Sequence, residues 1–235
     1  MKQPETTGPS FCVIIPAYNE AAGIADIVAR TRVHAPVVVV VDDGSTDDTG
    51  QLAEQQGAVV IRHPRNLGKG ASLISGFAYA REHGYELVIT LDADGQHDPA
   101  DVPRFVDTYR RTNIPVLIGN RLWNPGSMSL LRRATNRAMT RLLCRLMKGY
   151  LPDTQCGFRL YRTEILPFAQ TDSQRFAMES EILLQLAWRG FRFDSVRITS
   201  QYHGQRSRIH PLIDATRFFL MLLHVHHERQ ARRAR

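Results

Sequence analysis

The stretch VVVVVDDGSTDDTGQLAEQQGAVVIR, residues 37 to 62, decides the fold class. It begins with a run of valines, continues with a polar segment and a helical pattern, and ends with a second β-branched run. A strand, a helix and another strand in this order are typical of a βαβ unit, whose two strands lie parallel in one sheet. The unbroken valine run indicates a strand that is buried on both faces.

The same alternation extends over most of the chain. The predicted strands are CVIIP, VVVVV, AVVIR, ELVITL, PVLIGN, FRLYR and FRFDSVRITSQY. Helical patterns lie at residues 20–31, 46–57, 69–84, 99–111, 130–149 and 179–190, and a last one begins at about Pro211. We predict a single α/β domain, with a mostly parallel central sheet and helices on both faces.

Composition narrows the class of protein. With 43% hydrophobic and 23% charged residues, the 235-residue chain has the balance of a globular domain. Cys12, Cys144 and Cys156 form no CxxC pair, so we expect neither a disulfide framework nor a zinc site. The N-terminus lacks an apolar leader, and FFLMLL (218–223) is far shorter than the roughly 20 residues of a membrane span. A net charge of +7 favours an anionic partner: nucleic acid, a phosphorylated small molecule or an acidic membrane.

Polar clusters follow the first four strands, where ligands bind in open parallel sheets. They are PAYNE (16–20), DDGSTDDT (42–49), RNLGKG (65–70) and DADGQHD (92–98). Helix capping is the competing interpretation for Asn19, Ser45, Thr46 and Asp98, but not for Asp42, Asp43, Asp92 and Asp94, which precede any helix. The chain contains neither GxGxxG after the first strand nor a P-loop.

Asp92 and Asp94 form a DxD pattern that favours a divalent cation. Carboxylates on alternate residues of an extended segment point the same way, and hard oxygen ligands suit Mg²⁺ or Mn²⁺. The amide oxygen of Gln96 is a third candidate ligand, whereas His97 suits Mn²⁺ better.

Six ordered motifs resemble the family 2 glycosyltransferases of GT-A fold, from about Cys12 to Phe218. They are VIIPAYNEAAGI, VVVVDDGSTDDT, RNLGKGAS, LDADGQHDP, GNR and DTQCGFRLYR, and the most similar branch is that of dolichol-phosphate mannose synthase and polyprenyl-phosphate glycosyltransferases. The resemblance implies a Rossmann-like GT-A domain that transfers a sugar from a nucleotide diphosphate donor with inversion. It divides the chain into a donor part (about 12–122), an acceptor part (about 123–210) and an amphipathic basic C-terminal helix and tail (about 211–235).

The resemblance also implies the donor contacts. Those of the nucleoside are Pro16, Tyr18, Glu20, Val41 and Asp43; those of the diphosphate are Asp92, Ala93, Asp94, Gln96 and Arg121. Asp94 and Gln96 would bind the metal, with Asp92 as a further candidate ligand. Lys69 is a phosphate-facing candidate, and Arg206 and Arg208 belong to a basic loop that would close over the donor.

The acceptor is inferred from charge. A hydroxyl acceptor needs a general base, whereas a phosphate, with a second pKa of about 6, is already an anionic nucleophile at neutral pH. The resemblance implies that Arg132, Arg133 and Asn136 bind a lipid phosphate, although Asn136 stands where relatives have serine. We expect catalysis to depend on Asp94, Arg121 and Arg132. A solvated charged face is the alternative for Arg141, Arg145 and Lys148.

We therefore predict transfer of mannose or glucose, with GDP-mannose favoured over a UDP-hexose, to a polyprenyl or dolichyl-type phosphate at the cytoplasmic face of a membrane. A hydroxyl acceptor is the alternative, and a basic nucleic-acid-binding domain is a distant one, so we expect no nucleic-acid partner. The C-terminal helix either lies on the membrane, packs on the core or joins a homo-oligomer. The sequence does not decide whether Glu179 and Glu181 contact the sugar, cap a helix or lie on the surface.

Overall fold

A computed structural model describes residues 8–123, 130–168 and 177–199, with all side chains in these ranges except those of Leu131, Arg132 and Ala177. The strands are β1 (Phe11–Ala17), β2 (Val38–Asp42), β3 (Val59–Arg62), β4 (Leu87–Thr90), β5 (Val116–Asn120), β6 (Arg159–Arg162) and β7 (Phe193–Arg197). The helices are α1 (Ile24–Arg32), α2 (Thr49–Gln55), α3 (Lys69–Glu82), α4 (Val102–Thr112), α5 (Leu130–Met147) and α6 (Ala177–Trp188). Short 3₁₀ helices span Pro99–Asp101 and Thr163–Phe168.

Within the described residues the strands form one sheet in the order β3-β2-β1-β4-β6-β5-β7. All neighbouring pairs are parallel except those of β6, which is antiparallel to both β4 and β5. The predicted α/β class with a mostly parallel sheet is confirmed. Strand β2 is buried along its whole length, as its valines predict.

The helices lie on both faces of the sheet. The chain moves from β1 through β2 to β3 in one direction, then crosses back to β4 on the other side of β1. Right-handed crossovers in opposite directions place α1 and α2 on one face and α3 on the other. Consistently, α1 contacts α2, whereas α3 contacts the 3₁₀ helix at 163–168, which also touches α6.

Most predicted elements are present, with shifted ends. Within the described part of the predicted strand 191–202, which ends at residue 199, the strand spans Phe193–Arg197, and the predicted helix 46–57 spans Thr49–Gln55. The sequence pattern did not reveal the 3₁₀ helix Thr163–Phe168. No helix in the described part of the chain is long and apolar enough to cross a membrane. The C-terminal helix predicted from about Pro211, together with Arg206 and Arg208, lies outside the described residues.

Candidate active site

The candidate site lies where the strand order reverses, at the carboxyl ends of β1 and β4. Such a reversal opens a crevice, because the loops that follow the two strands turn away from each other. Here these loops are YNE after β1 and DADGQHD after β4. DTQCGFR enters β6 at the same edge, because β6 is antiparallel to its neighbours.

Short hydrogen bonds tie the loops after β1 and β2 together. The Asn19 N–H donates to Ser45 Oγ over 3.0 Å, and the Thr46 N–H donates to Asn19 Oδ1 over 2.8 Å. The capping interpretation is therefore wrong for Ser45 and Thr46, because Gly23 and Asp48 are the N-cap residues of α1 and α2, and Asn19 likewise caps neither helix. It is confirmed for Asp98, whose Oδ1 accepts from the Ala100 N–H over 3.0 Å.

Asp43 holds the loop that follows β3. Its carboxylate accepts from the N–H groups of Leu67 (3.0 Å) and Gly68 (2.7 Å), and His63 Nδ1 lies 2.7 Å from Oδ1. Gly68 has a φ of 96°, a conformation that favours glycine. Asp43 and Val41 are both buried. Their contact with a nucleoside stays a prediction, and the structure adds a loop-holding role for Asp43.

Lys69 lies between two carboxylates. Its Nζ is 2.6 Å from Asp92 Oδ1 and 3.0 Å from Glu179 Oε2, and the three side chains are 17%, 25% and 9% exposed. Burial lowers the pKa of Lys69, but the two carboxylates outweigh burial and raise it. Burial raises the pKa of Asp92, but the Lys69 ammonium outweighs it and lowers this pKa to about 2. Lys69 and Asp92 are therefore both ionised at neutral pH, and contact of Lys69 with a donor phosphate stays a prediction.

Asp92 also lies against the loop that precedes β6. A Cβ atom on Gly157 would be 2.5 Å from Asp92 Oδ2, so a larger residue there would displace the carboxylate. His97 Nε2 is 3.8 Å from the same oxygen, and His97 Nδ1 is buried without a hydrogen-bond partner in the described part of the chain. Burial lowers the pKa of His97 to about 4 against the pull of Asp92. His97 is therefore a neutral imidazole at pH 7.

Asp94 and Gln96 lie in one turn after β4. The chain already turns at Ala93 and Asp94, so the extended-strand reason for pairing Asp92 with Asp94 is wrong. Instead, the Gln96 N–H donates to Asp94 Oδ1 over 3.0 Å and holds these two residues together. Their role as metal ligands, and that of Asp92, stays a prediction.

The side-chain oxygen atoms of Asp94 and Gln96 at this turn are suitable ligands for Mg²⁺ or Mn²⁺. No three His, Cys, Asp or Glu side chains within the described ranges gather closely enough to hold a metal ion. One or two carboxylates and an amide oxygen are typical of a site where substrate phosphate and water complete the coordination. Asp94 and Gln96 match that chemistry.

A second ion pair lies at the end of β5. Arg121 Nε and Nη2 are 2.8 and 3.1 Å from the two carboxylate oxygens of Asp153, and both residues are buried. Burial raises the pKa of Asp153, but the charge and hydrogen bonds of Arg121 outweigh it and lower this pKa. Arg121 also contributes to the low pKa of Asp92, so the two ion pairs are neighbours. Contact of Arg121 with a donor diphosphate stays a prediction.

Arg159 joins the loop before β6 to α6. It is fully buried and donates to the carbonyl oxygens of Cys156 (2.7 Å), Thr154 (2.9 Å) and Glu179 (2.7 Å). These bonds give Arg159 a structural role and fix the backbone of Glu179 beside Lys69. Cys156 is fully buried, and burial raises the pKa of its thiol to about 12, so it serves as a packing residue rather than as a nucleophile.

The structure separates Glu179 from Glu181, which the sequence left undecided. Glu179 faces Lys69, whereas Glu181 is buried and accepts from Gln185 Nε2 over 3.0 Å on the same helix. No sequence signal reveals the first contact, because Lys69 and Glu179 are 110 residues apart. The glycine-containing loop around Lys69 was the only local indication that this lysine lies near the site.

Helix α5 carries the predicted acceptor residues. Arg132 lies in this helix, but its side chain is outside the described set; Arg133 and Asn136 are half-buried. The distal cations Arg141, Arg145 and Lys148 are exposed, as the solvated-face interpretation expects. The Thr140 hydroxyl lies 3.1 Å from the Thr154 hydroxyl and accepts from the Thr154 N–H over 3.1 Å. Helix α5 is therefore attached to the loop that carries Asp153.

The nucleoside candidates after β1 lie next to β2. Pro16 pairs with Val41 in the sheet register, and the Asp43 N–H donates to the Ala17 carbonyl over 2.8 Å. Tyr18 and Glu20 follow directly and are half-buried. Ala93 is buried beneath the turn after β4. The structure thus brings the predicted donor residues of the first two loops to one edge.

The model of the family Glycosyl transferase family 2 matches residues 12–167. The chain belongs to this family, and it is therefore a glycosyltransferase.

Curated relatives agree with that class. Undecaprenyl-phosphate mannosyltransferase of Micrococcus luteus is 32% identical over 79% of this chain and 81% of that protein. Polyprenol monophosphomannose synthase of Mycolicibacterium smegmatis is 30% identical over 84% of this chain and 80% of that protein. UDP-N-acetylglucosamine–dolichyl-phosphate N-acetylglucosaminyltransferase of Methanococcus voltae is 28% identical over 73% and 78%.

Solved structures confirm the GT-A fold. Glucosyl-3-phosphoglycerate synthase of Mycobacterium tuberculosis matches with a TM-score of 0.74 and 22% identity, over 93% of this chain and 81% of that chain. The same enzyme with Mn²⁺, UDP and glucosyl-3-phosphoglycerate matches with a TM-score of 0.71 and 21% identity, over 93% and 80%. At this identity the likeness shows the fold alone.

Proposed function

We propose that this glycosyltransferase transfers a hexose, with inversion, from a nucleotide diphosphate sugar to a polyprenyl or dolichyl-type lipid phosphate at the cytoplasmic face of a membrane. Curated relatives named for transfer to undecaprenyl, polyprenol or dolichyl phosphate support the acceptor class. GDP-mannose is the favoured donor, because two of these relatives are named for mannose. A UDP-sugar is the alternative, which the name of the third relative supports.

The state of the acids at the site carries the proposal. Asp92 and Asp153 have lowered pKa values, and each is paired with a cation. His97 has a pKa of about 4. A base that serves a hydroxyl acceptor is most efficient when its pKa lies near the working pH, and the low pKa values of Asp92, Asp153 and His97 disfavour these three groups for that role. A phosphate acceptor brings its own negative charge and requires no such base.

On the donor side, Asp94 and Gln96 would hold a divalent cation beside the donor diphosphate. Such a cation supplies Lewis-acid stabilisation of the charge on the departing diphosphate, and structural neighbours that contain Mn²⁺ or Mg²⁺ with UDP support its use. Lys69 holds Asp92 in one orientation at the floor of the site, since its ammonium contacts Asp92 and Glu179 together.

On the acceptor side, the first turns of α5 would bind the lipid phosphate. Arg133 Nε is buried and makes no hydrogen bond within the described part of the chain. A phosphate oxygen is the acceptor that such a donor lacks, because buried polar groups are normally paired. Arg132 precedes it, and Asn136 lies one turn further along the helix.

A direct assay tests the proposal. The protein is incubated with Mn²⁺ or Mg²⁺, a short polyprenyl phosphate, and labelled GDP-mannose, GDP-glucose, UDP-glucose or UDP-N-acetylglucosamine. We expect label in the organic phase, released by mild acid, and most of it from GDP-mannose. Label that appears only in water-soluble glycans or in neutral glycolipids would overturn the lipid phosphate as acceptor.

The Arg132→Ala substitution tests the acceptor site. Loss of one charge-assisted phosphate contact should raise the KM for polyprenyl phosphate by roughly tenfold or more, with little change in the donor KM. Arg141→Ala, which removes an exposed arginine of the same helix, is the matched control. An equal rise in both KM values would remove Arg132 from the acceptor site.

A further inference from the structure

A cationic groove lies between α4 and β7, the strand at the opposite end of the sheet from β3. Its volume is about 650 Å³, and it is lined by Arg104, Asp107, Thr108, Arg111, Trp123, Ser195, Val196 and Arg197. None of these residues takes part in the donor or acceptor contacts above. The groove is therefore a separate surface of the molecule, which we call the α4–β7 groove.

Three exposed arginines dominate its charge. Arg104 lies in the first turn of α4, Arg111 in the last, and Arg197 at the end of β7. The one acid among the lining residues, Asp107, lies 3.7 Å from Arg110, which is outside the lining. Arg104 is paired with the buried Asp101 over 2.8 Å, so Arg111 and Arg197 supply most of the net positive charge. Arg104 and Arg111 are seven residues apart, so positive charge extends over about 10 Å of helix.

Trp123 adds a large aromatic ring to this surface. The residue is 54% exposed, and its indole Nε1 donates to the Ile198 carbonyl over 3.3 Å. The Arg197 guanidinium lies 5.2 Å from the ring centroid, within the range of a cation–π contact. An exposed tryptophan among arginines is typical of a surface at the membrane–water interface, where the ring enters the headgroup region and the cations meet lipid phosphates.

One end of the groove lies at the carboxyl ends of the strands, where the candidate site also lies. Strand β7 runs parallel to β5, and Trp123 follows Arg121 by two residues. Arg104 donates to the Arg197 carbonyl over 3.4 Å, so the start of α4 meets the end of β7 at this edge. A membrane that contacted the groove would lie beside the loop that leads from β5 to α5.

We propose that the α4–β7 groove docks the protein on an anionic membrane surface. Trp123 inserts into the interface, while Arg104, Arg111 and Arg197 contact lipid phosphates. A bilayer fits better than one small anion because the cations are spread along the helix rather than gathered at a point. The inference rests on the proposed function in one respect, which is that a lipid acceptor places the enzyme at a membrane. Membrane binding itself requires no sugar transfer.

Vesicle flotation of the full chain tests the proposal. Wild-type protein should bind vesicles of phosphatidylcholine with 30% phosphatidylglycerol and bind pure phosphatidylcholine weakly. At roughly 1 kcal/mol per arginine, which is about fivefold, Arg111→Glu with Arg197→Glu should weaken this binding by at least ~25-fold. Sugar transfer to a short, water-soluble polyprenyl phosphate should stay near wild type, which separates failure of docking from failure of the proposed function.

The matched control is Arg81→Glu with Arg192→Glu. Arg81 lies in the last turn of α3, as Arg111 does in α4, and Arg192 is exposed just before β7. Both double variants change the net charge equally. Equal weakening by the two pairs, unchanged binding of the groove variant, or absence of wild-type binding would each overturn the proposal. Binding of heparin in place of vesicles would assign the groove to a soluble polyanion.

Fluorescence gives a second readout. The chain contains two tryptophans, Trp123 and Trp188, so Trp188→Phe leaves Trp123 as the single indole. Its emission should shift to shorter wavelength when anionic vesicles are added, because the ring leaves water. An unchanged spectrum with vesicle-bound protein would show that another surface makes the contact.

Discussion

The acids after β2 and those after β4 look alike in the sequence but are held in different ways. Asp43 follows a buried strand and is held mainly by backbone N–H groups of a loop 24 and 25 residues away, with His63 Nδ1 as a further contact at 2.7 Å. Asp92 also follows a buried strand, but it is held by the ammonium of Lys69 and packed against Gly157. An acid held by backbone stabilises a loop, whereas an acid held by a buried cation forms part of a charged site.

The difference lies in what each partner demands. Two of the three groups around the Asp43 carboxylate are backbone N–H groups, which are neutral and fixed in place, and the third is the imidazole of His63. A buried ammonium needs negative charge nearby, and Lys69 obtains it from Asp92 and Glu179 together. Changing one member of the charged set should therefore cost more than changing an acid held by backbone.

Asp94→Ala should have the largest effect on activity. Loss of a carboxylate ligand of the proposed cation should lower turnover roughly a thousandfold or more, even with saturating Mn²⁺. The measurement is product formation with donor and metal in excess. Asp98→Ala, which alters an acid of the same loop that caps a helix, should retain activity within a few fold. Near wild-type turnover of the Asp94 variant would refute the metal assignment.

Lys69→Met should have the largest effect on stability. It leaves two carboxylates in a buried network without their cation, which typically costs about 3–5 kcal/mol of unfolding free energy. Denaturant unfolding measures this loss. The exposed Lys148 provides a control, since Lys148→Met should change stability by less than about 0.5 kcal/mol. Equal losses of unfolding free energy in the two variants would mean that Lys69 in the charged network stabilises the protein no more than an exposed lysine does.

His97 should make stability depend on pH below neutrality. Its folded pKa of about 4 lies below the ordinary histidine value of 6.5. The contribution of the neutral imidazole is therefore complete above about pH 6.5 and is lost as the pH falls toward 4, by about 3 kcal/mol at most.

Unfolding of wild type and His97→Gln from pH 7.5 to 4.5 tests this expectation. The variant should lose most of the slope between pH 6.5 and 4.5, whereas exposed His83→Gln should keep it. Asp92, with a pKa lowered to about 2, contributes its own loss only below about pH 4. Identical slopes in all three proteins would contradict the burial of a neutral His97.

Asp43→Asn should have the smallest of these effects. An asparagine keeps one acceptor oxygen, so one partly buried N–H in the loop before α3 loses its partner, at a cost of about 1–2 kcal/mol. Amide hydrogen exchange at Leu67 and Gly68 should show the loss locally. Asp48→Asn, at an exposed acid with no side-chain capping bond, should leave exchange there unchanged.

Local sequence patterns predicted much of this fold because each depends on residues close together in the chain. The valines of β2 and the amphipathic pattern of α4 indicate directly which of their residues are buried. The place of β6 between β4 and β5 could not be predicted, because strand order depends on contacts between distant segments. For the same reason, the sequence indicated that Lys69 lies near the site but gave no sign of its ion pairs with Asp92 and Glu179.

By itself the sequence determined the α/β class and the edge of the sheet where the polar clusters gather. Both follow from strand and helix periods and from the common direction of parallel strands. Only the tertiary structure decided which acid is held by backbone, which is paired with a cation, and which histidine is buried neutral. Those outcomes depend on burial and on the distance to a partner many residues away, and these two quantities set both the pKa and the energetic cost of a charge.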